Sequence, residues 1–76
     1  MKLSDLNLNE TCLIKKINLD KNSKERLQDI GLIVGNKVTC VLISPFNDPK
    51  AYKINGIILA IRDIDAKEIE VELIED

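Results

Sequence analysis

The stretch RLQDIGLIVGNKVTC, residues 26–40, decides how the chain folds and also raises a question about nucleotides. Its two glycines and the following Asn36-Lys37 come within one residue of the phosphate-binding pattern G-x-x-x-x-G-K-[ST]. That motif needs a strand before the glycines and a helix after them, so that backbone amides point at phosphate. Here a helical pattern precedes Gly31 and a strand pattern follows Gly35. We therefore interpret both glycines as backbone turns with positive φ and not as a nucleotide site.

The residues before the first glycine predict a short helix over Lys24–Ile30. Leu27 and Ile30 lie one turn apart on one face of it, and Asn22 or Ser23 can cap its N-terminus. The solvent side of this helix is expected to carry Lys24, Glu25 and Arg26, and these three are candidate partner-binding residues.

Five short strands are predicted around this helix, because the apolar residues are mainly Ile, Leu and Val in short runs. They are Thr11–Ile17, Lys37–Ser44, Ala51–Ile54, Ile57–Ile61 and Glu68–Leu73. Asn55-Gly56 between two apolar runs is a strong hairpin signal, since both residues tolerate positive φ. The pattern is typical of a small closed or nearly closed barrel, with the helix inserted between the first two strands.

Three details of this arrangement follow from the spacing of apolar residues. The second strand is expected to place Val38, Cys40 and Leu42 on one face. Residues 1–10 predict a helical turn that covers one end of the core with Leu3, Leu6 and Leu8. Residues 62–66 predict a tight helical turn before the last strand.

Length and charge restrict the classes of function. With 76 residues the chain is expected to form one domain over residues 1–76. The net charge is −2 and the pI near 5.1, which argues against nucleic-acid binding, because that binding depends on neutralising phosphates. No apolar run approaches the ~20 residues that span a bilayer, and the N-terminus does not resemble a signal peptide. We therefore expect a cytoplasmic protein.

Cysteine and histidine usage argues against catalysis and against a zinc site. Cys12 and Cys40 are the only cysteines, and they are expected to be free thiols inside strands. The chain has no histidine, so a nucleophilic thiol would lack its usual base, and two cysteines cannot fill a tetrahedral zinc site. We expect no catalytic residue, no cofactor and no enzyme activity.

Acidic residues near the C-terminus are the remaining candidates for a metal site. Glu68, Glu70 and Glu72 share one face of a strand, but neighbours on a face lie about 6.6 Å apart at the backbone. A solvated outer face explains them better than metal ligands do. Asp63 and Asp65 are expected to stabilise the tight turn through hydrogen bonds to their own backbone. No metal ligand is assigned.

The loop Ser44–Pro49 contains two prolines around two turn-forming residues. Its Phe46, together with Tyr52 just beyond it, has two interpretations. Either both rings cap the barrel, or an exposed ring anchors a partner protein, since aromatic residues dominate interface energetics. The candidate partner-binding residues of this region are Pro45, Phe46, Asn47, Asp48, Pro49 and Tyr52.

Beyond these elements, the chain resembles the FeoA family of small proteins associated with bacterial ferrous iron uptake. The resemblance begins with the helix, turn and strand at Arg26–Leu32, Gly35 and Val38. It continues with Asn47-Asp48-Pro49, Ile54, Gly56, the run Leu59-Ala60-Ile61-Arg62, and then Ala66, Ile69 and Val71. It covers nearly the whole chain.

The resemblance implies an SH3-like barrel that acts with FeoB, a membrane ferrous iron transporter with a cytosolic GTPase domain. It also implies recruitment to the inner face of the membrane by that partner. Similar domains occur at the C-terminus of metal-dependent repressors, so a metal-responsive sensor is the alternative function. A nucleic-acid-binding barrel is a third hypothesis, which the low pI and the scarcity of aromatic residues disfavour.

Overall fold

The computed structural model describes residues 1–74, and within them the protein is mainly β. The strands are β1 (Thr11–Ile17), β2 (Lys37–Ile43), β3 (Lys50–Ile54), β4 (Ile57–Ile61) and β5 (Ile69–Ile74). Helix α1 (Lys21–Asp29) lies between β1 and β2, α2 (Asp63–Ala66) lies between β4 and β5, and Leu3–Asp5 forms a single 3-10 turn. The predicted fold class is confirmed, including the helix between the first two strands.

The five strands form one antiparallel sheet in the order β4-β3-β2-β1-β5. In residues 1–74 the edge strands β4 and β5 do not pair with each other, so the closed or nearly closed barrel that the sequence predicts is not fully closed in this part of the chain. The N-terminal segment instead occupies the outer edge of β5, where Lys2 bridges Glu70 and the Val71 amide donates to the Met1 carbonyl at 2.8 Å. Strand β4 is therefore the exposed edge.

Helix α1 begins at Lys21, three residues before the predicted start. Its N-cap is Asp20, whose carboxylate accepts a hydrogen bond from the Ser23 amide at 3.2 Å. The expected caps, Asn22 and Ser23, lie inside the first turn instead. Asp, Asn and Ser cap a helix N-terminus about equally well, so residue type alone does not distinguish Asp20 from Asn22 or Ser23.

The C-terminus of α1 ends at a glycine in the left-handed conformation, as predicted. Gly31 has a φ of 99°, and its amide donates to the Gln28 carbonyl at 3.0 Å. The Leu32 amide reaches back to the Leu27 carbonyl at 2.9 Å, which completes a Schellman motif. Gly35, with a φ of 96°, then turns the chain into β2.

A two-residue turn joins β3 and β4, as the Asn-Gly signal predicts. Asn55 and Gly56 have φ values of 53° and 81°. Ile54 and Ile57 face each other directly at the base of the turn. This turn fixes the register of the whole hairpin.

A β-bulge in β2 changes which side chains face the core. Cys40 pairs with Tyr52, but the next pair joins Leu42 to Ala51, so β2 carries one extra residue at this point. The extra residue reverses the alternation, and Leu42 lies on the outer face with 62% of its surface exposed. The expectation for this face is confirmed for Val38 and Cys40 and wrong for Leu42.

The core lies on the inner face of the sheet and is closed at one end by the 3-10 turn. Its largest fully buried side chain is Tyr52. Leu3 and Leu6 are buried as expected, whereas Leu8 is exposed and does not cover the core. The fully buried residues are Leu3, Leu6, Cys12, Ile14, Leu32, Val38, Cys40, Tyr52, Ile54 and Ile69.

Candidate protein-interaction surface

The loop between β2 and β3 presents an exposed aromatic ring on a tethered backbone. All of residues 45–49 are exposed, and 90% of the Phe46 surface is accessible. The Asp48 carboxylate accepts a hydrogen bond from the Asp63 amide at 2.9 Å, which ties the loop to the first residue of α2. Of the two interpretations of Phe46, an exposed ring is the one that the structure shows.

Tyr52 does not belong to this surface. Its side chain is fully buried, and its hydroxyl donates a long hydrogen bond of 3.4 Å to the Leu3 carbonyl. Burial raises the pKa of Tyr52 above its ordinary value. The side chain lies on the core face, where Tyr52 pairs with Leu59 on β4 and with Cys40 on β2, directly before the bulge. The prediction that Tyr52 binds a partner is therefore wrong, because its side chain is not accessible.

The predicted solvent side of α1 is only partly exposed. Glu25 and Arg26 are exposed, whereas Lys24 is half-buried. Arg26 also lines a groove between α1 and β4 that the sequence does not predict. Arg26 therefore belongs both to the predicted surface of α1 and to the groove.

The groove has a volume of about 270 Å³ and runs between α1, β4 and α2. Leu19, Leu27, Leu59 and Ile61 supply its apolar surface, and Arg26, Arg62 and Asp65 supply its charged groups. Sequence reasoning assigned no site role to β4 or Arg62. The signal that could have found them is an uncharged edge strand, IILAI, ending directly at an arginine.

The two arginines of the groove carry charge that is not ion-paired in residues 1–74. Within the described part of the chain, the ion pairs are Lys2–Glu70 and Lys15–Glu72. Neither Arg26 nor Arg62 therefore has a carboxylate within 4.0 Å in that part.

Exposed or half-buried apolar side chains form a row on the outer face of the sheet beside β4. Leu42 faces Ala51, and Ala51 faces Ala60 on the next strand. Ile58, on the same face of β4 as Ala60, is 62% exposed. Contiguous apolar surface at a sheet edge is a feature of interaction sites.

Of the three glutamates expected to share a strand face, Glu70 and Glu72 lie in β5 and contact neighbouring side chains, whereas Glu68 lies in the turn before the strand. Glu70 accepts a hydrogen bond from the Asn18 amide group at 3.1 Å, and this bond, with Lys2 nearby, lowers the pKa of Glu70. Glu72 lies 3.5 Å from the Lys15 ammonium. In residues 1–74, no group of three or more acidic, cysteine or histidine side chains is arranged to hold a metal ion.

The two thiols are core residues. Cys12 and Cys40 are both free and buried. Burial, with the negative charge of Glu10, raises the pKa of the Cys12 thiol to about 11. At neutral pH the thiol is protonated, and a protonated thiol is a poor nucleophile.

Neither helix in the described residues has the length and apolarity that crossing a bilayer requires.

Known proteins resemble this chain along almost all of its length. A family model described as FeoA domain matches residues 1–73. A protein of Porphyromonas gingivalis, described as an Fe(2+) transport protein A/Fe(2+) transporter FeoB fusion, is 32% identical over 74 residues, which are 97% of this chain. The chain spans only 9% of that relative.

Solved structures share the fold. The FeoA protein of Chlorobium tepidum superposes with a TM-score of 0.93 at 29% identity, over 99% of this chain and 71% of that one. The zinc complex of FeoA from Stenotrophomonas maltophilia is described as a prokaryotic SH3 domain protein. It superposes with a TM-score of 0.79 at 26% identity, over 95% of this chain and 89% of that one. The manganese regulator SloR superposes with a TM-score of 0.78 at 15% identity, over 96% of this chain and 34% of that one. At this identity the similarity shows only a shared fold. From the family match and these structures, the chain belongs to the FeoA family and has its SH3-like fold.

Proposed function

We propose that this domain is a protein-interaction module of ferrous iron uptake that acts on a FeoB-type transporter. It works by binding, without a cofactor and without catalysis of its own. Its place is on the cytosolic side of the membrane, where the GTPase domain of such a transporter lies. In this proposal residues 1–76 form one domain, and the partner recruits it to the membrane.

The observation that carries this proposal is the relative in which transport protein A and FeoB are parts of one polypeptide. Fusion of two proteins raises the effective concentration of one at the other to the millimolar range, which benefits partners that work in contact. The surface of this domain supports the same function. Phe46 is an exposed aromatic ring on a tethered loop, and this is the chemistry of an interface anchor.

The test is binding of the purified domain to the detergent-solubilised cognate transporter, with the isolated GTPase domain measured in parallel. Saturable binding to the whole transporter supports the proposal, and comparison with the GTPase domain locates the contact. Absence of binding to both proteins, with the domain shown to be folded by circular dichroism, contradicts it.

A metal-responsive sensor is the second candidate function. It is favoured by the zinc complex of a related FeoA and by the fold shared with a manganese regulator. It predicts a saturable spectroscopic change when Fe²⁺ is added to the isolated domain under anaerobic conditions. That change should be lost in Glu70→Gln or Glu68→Gln and kept in Lys53→Gln. An absence of any saturable change removes this candidate.

A further inference from the structure

The groove between α1 and β4 follows the open edge of the sheet. Its lining includes Leu59, Ala60, Ile61 and Arg62, four consecutive residues. Successive side chains of a strand point to opposite faces, so one face of β4 cannot supply Leu59, Ala60 and Ile61 together. The groove therefore runs along the backbone edge of β4, with α1 as its opposite wall.

The register of the hairpin shows which backbone groups are available at this edge. Ile54 faces Ile57 at the base of a two-residue turn, and the closing pair of such a turn is hydrogen-bonded. Because antiparallel ladders alternate, the N–H and C=O groups of Ile58 and Ala60 then point away from β3. These groups can pair with another extended segment.

Strand β4 also lacks the features that protect edge strands from pairing. Its sequence IILAI contains no charge and no proline, and the bulges of the sheet lie in β1 and β2. The opposite edge, β5, is covered by residues 1 and 2. The fold thus protects one edge and leaves the other open.

The charges of the groove select the chemistry of its occupant. Arg26 on α1 and Arg62 at the end of β4 line it with one carboxylate, Asp65, and neither arginine is ion-paired in residues 1–74. Two guanidinium groups beside an apolar surface favour an extended segment with apolar side chains and a carboxylate. A second copy of β4 would bring apolar side chains but no carboxylate.

We propose that β4 accepts an extended, apolar and acidic segment of a partner protein as a sixth strand, whose carboxylate is held by Arg26 and Arg62. This inference rests on the proposed function, since it assumes that the domain works by binding a protein. Main-chain hydrogen bonds to Ile58 and Ala60 provide affinity, and the two arginines provide selectivity for a carboxylate.

The experiment uses short overlapping peptides that cover the cytosolic segments of the cognate FeoB-type transporter. Each peptide is titrated into the domain while amide hydrogen exchange is followed by NMR. A peptide that contains Asp or Glu between apolar residues should bind and slow the exchange of the Ile58 and Ala60 amides. Its variant with Asn or Gln at the acidic position should bind about tenfold more weakly.

Two sets of variants test the backbone and the charges separately. Ala60→Pro removes an amide that points away from β3 and should abolish binding, while circular dichroism checks that this variant keeps its fold. Arg26→Glu and Arg62→Glu should each weaken binding about tenfold or more. Lys21→Glu, the same charge change at an exposed position outside the groove, should have little effect.

The outcomes separate this inference from the function on which it rests. If the whole transporter binds the wild type and binds the Ala60→Pro and arginine variants equally well, the edge is not the docking site, and the proposed function stands. Failure of the wild type to bind the transporter removes the proposed function and this inference together. Protection of the β4 amides that rises with domain concentration, without any peptide, would show self-pairing and contradict the inference.

Discussion

At the scale of single residues, Gly31 and Gly35 share a backbone conformation but differ in their surroundings. Both have a positive φ, 99° and 96°. A methyl group added at Gly31 would meet the Asn55 Cβ at 3.1 Å, whereas at Gly35 it would meet nothing within 4 Å. Asn55 belongs to the β3–β4 turn and has a positive φ of its own, so its Cβ cannot move aside freely.

The two glycine-to-alanine variants should therefore differ in stability. Gly35→Ala is expected to lower the free energy of unfolding by about 1 kcal/mol, the cost of a left-handed conformation for alanine. Gly31→Ala should lower it by about 2 kcal/mol or more, because the contact with Asn55 is added. Urea unfolding of the two variants beside the wild type provides the measurement. Equal losses would show that the Asn55 contact relaxes at little cost.

At the scale of elements, one hydrogen bond joins the loop of residues 45–49 to helix α2, since the Asp48 carboxylate accepts from the Asp63 amide. The same short helix supplies Asp65 to the groove, and Arg62 immediately precedes it. The predicted loop surface and the groove therefore both border α2. A partner that contacts one of them can also reach the other.

The exposed ring of Phe46 should matter for binding and not for stability. Phe46→Ala is expected to change the free energy of unfolding by less than about 0.5 kcal/mol, because the side chain buries almost nothing. The same variant should weaken binding to the cognate transporter about tenfold, as loss of an aromatic anchor does. Val34→Ala, at another exposed apolar residue, serves as the matched control in the same binding assay. Unchanged binding of Phe46→Ala would remove the loop from the interface.

Local patterns predicted the elements of this fold better than they predicted its faces and edges. Strands β1 and β4 have the predicted bounds, since runs of β-branched residues and an Asn-Gly turn act locally. The outward position of Leu42 depends on a bulge, which is a relation between two strands and leaves no period in one of them. The groove likewise forms only where α1, β4 and α2 come together in the folded chain. The proposal of a ferrous iron transporter as partner came from the family resemblance and not from local patterns.

At the scale of the whole molecule, three buried titratable groups make the fold sensitive to alkali. The pKa of Cys12 is about 11, above its ordinary value of 9.0, and burial also raises the pKa values of Cys40 and Tyr52. A group whose pKa is higher in the folded than in the unfolded state stabilises the fold, and its full contribution is present only at pH values below the unfolded-state pKa. For Cys12 this contribution is present below pH 9.0 and is lost as the pH rises towards 11.

The free energy of unfolding should therefore be constant from neutral pH to about pH 8.5 and fall above it. Cys12 alone should account for a loss of about 1 kcal/mol near pH 10, because one pKa unit corresponds to about 1.4 kcal/mol. Urea unfolding at a series of pH values measures the decline. Cys12→Val removes one titrating group while keeping an apolar side chain of similar size, so its decline should be shallower than that of the wild type. Parallel declines for the two proteins would mean that Cys12 does not titrate differently in the folded and unfolded chain.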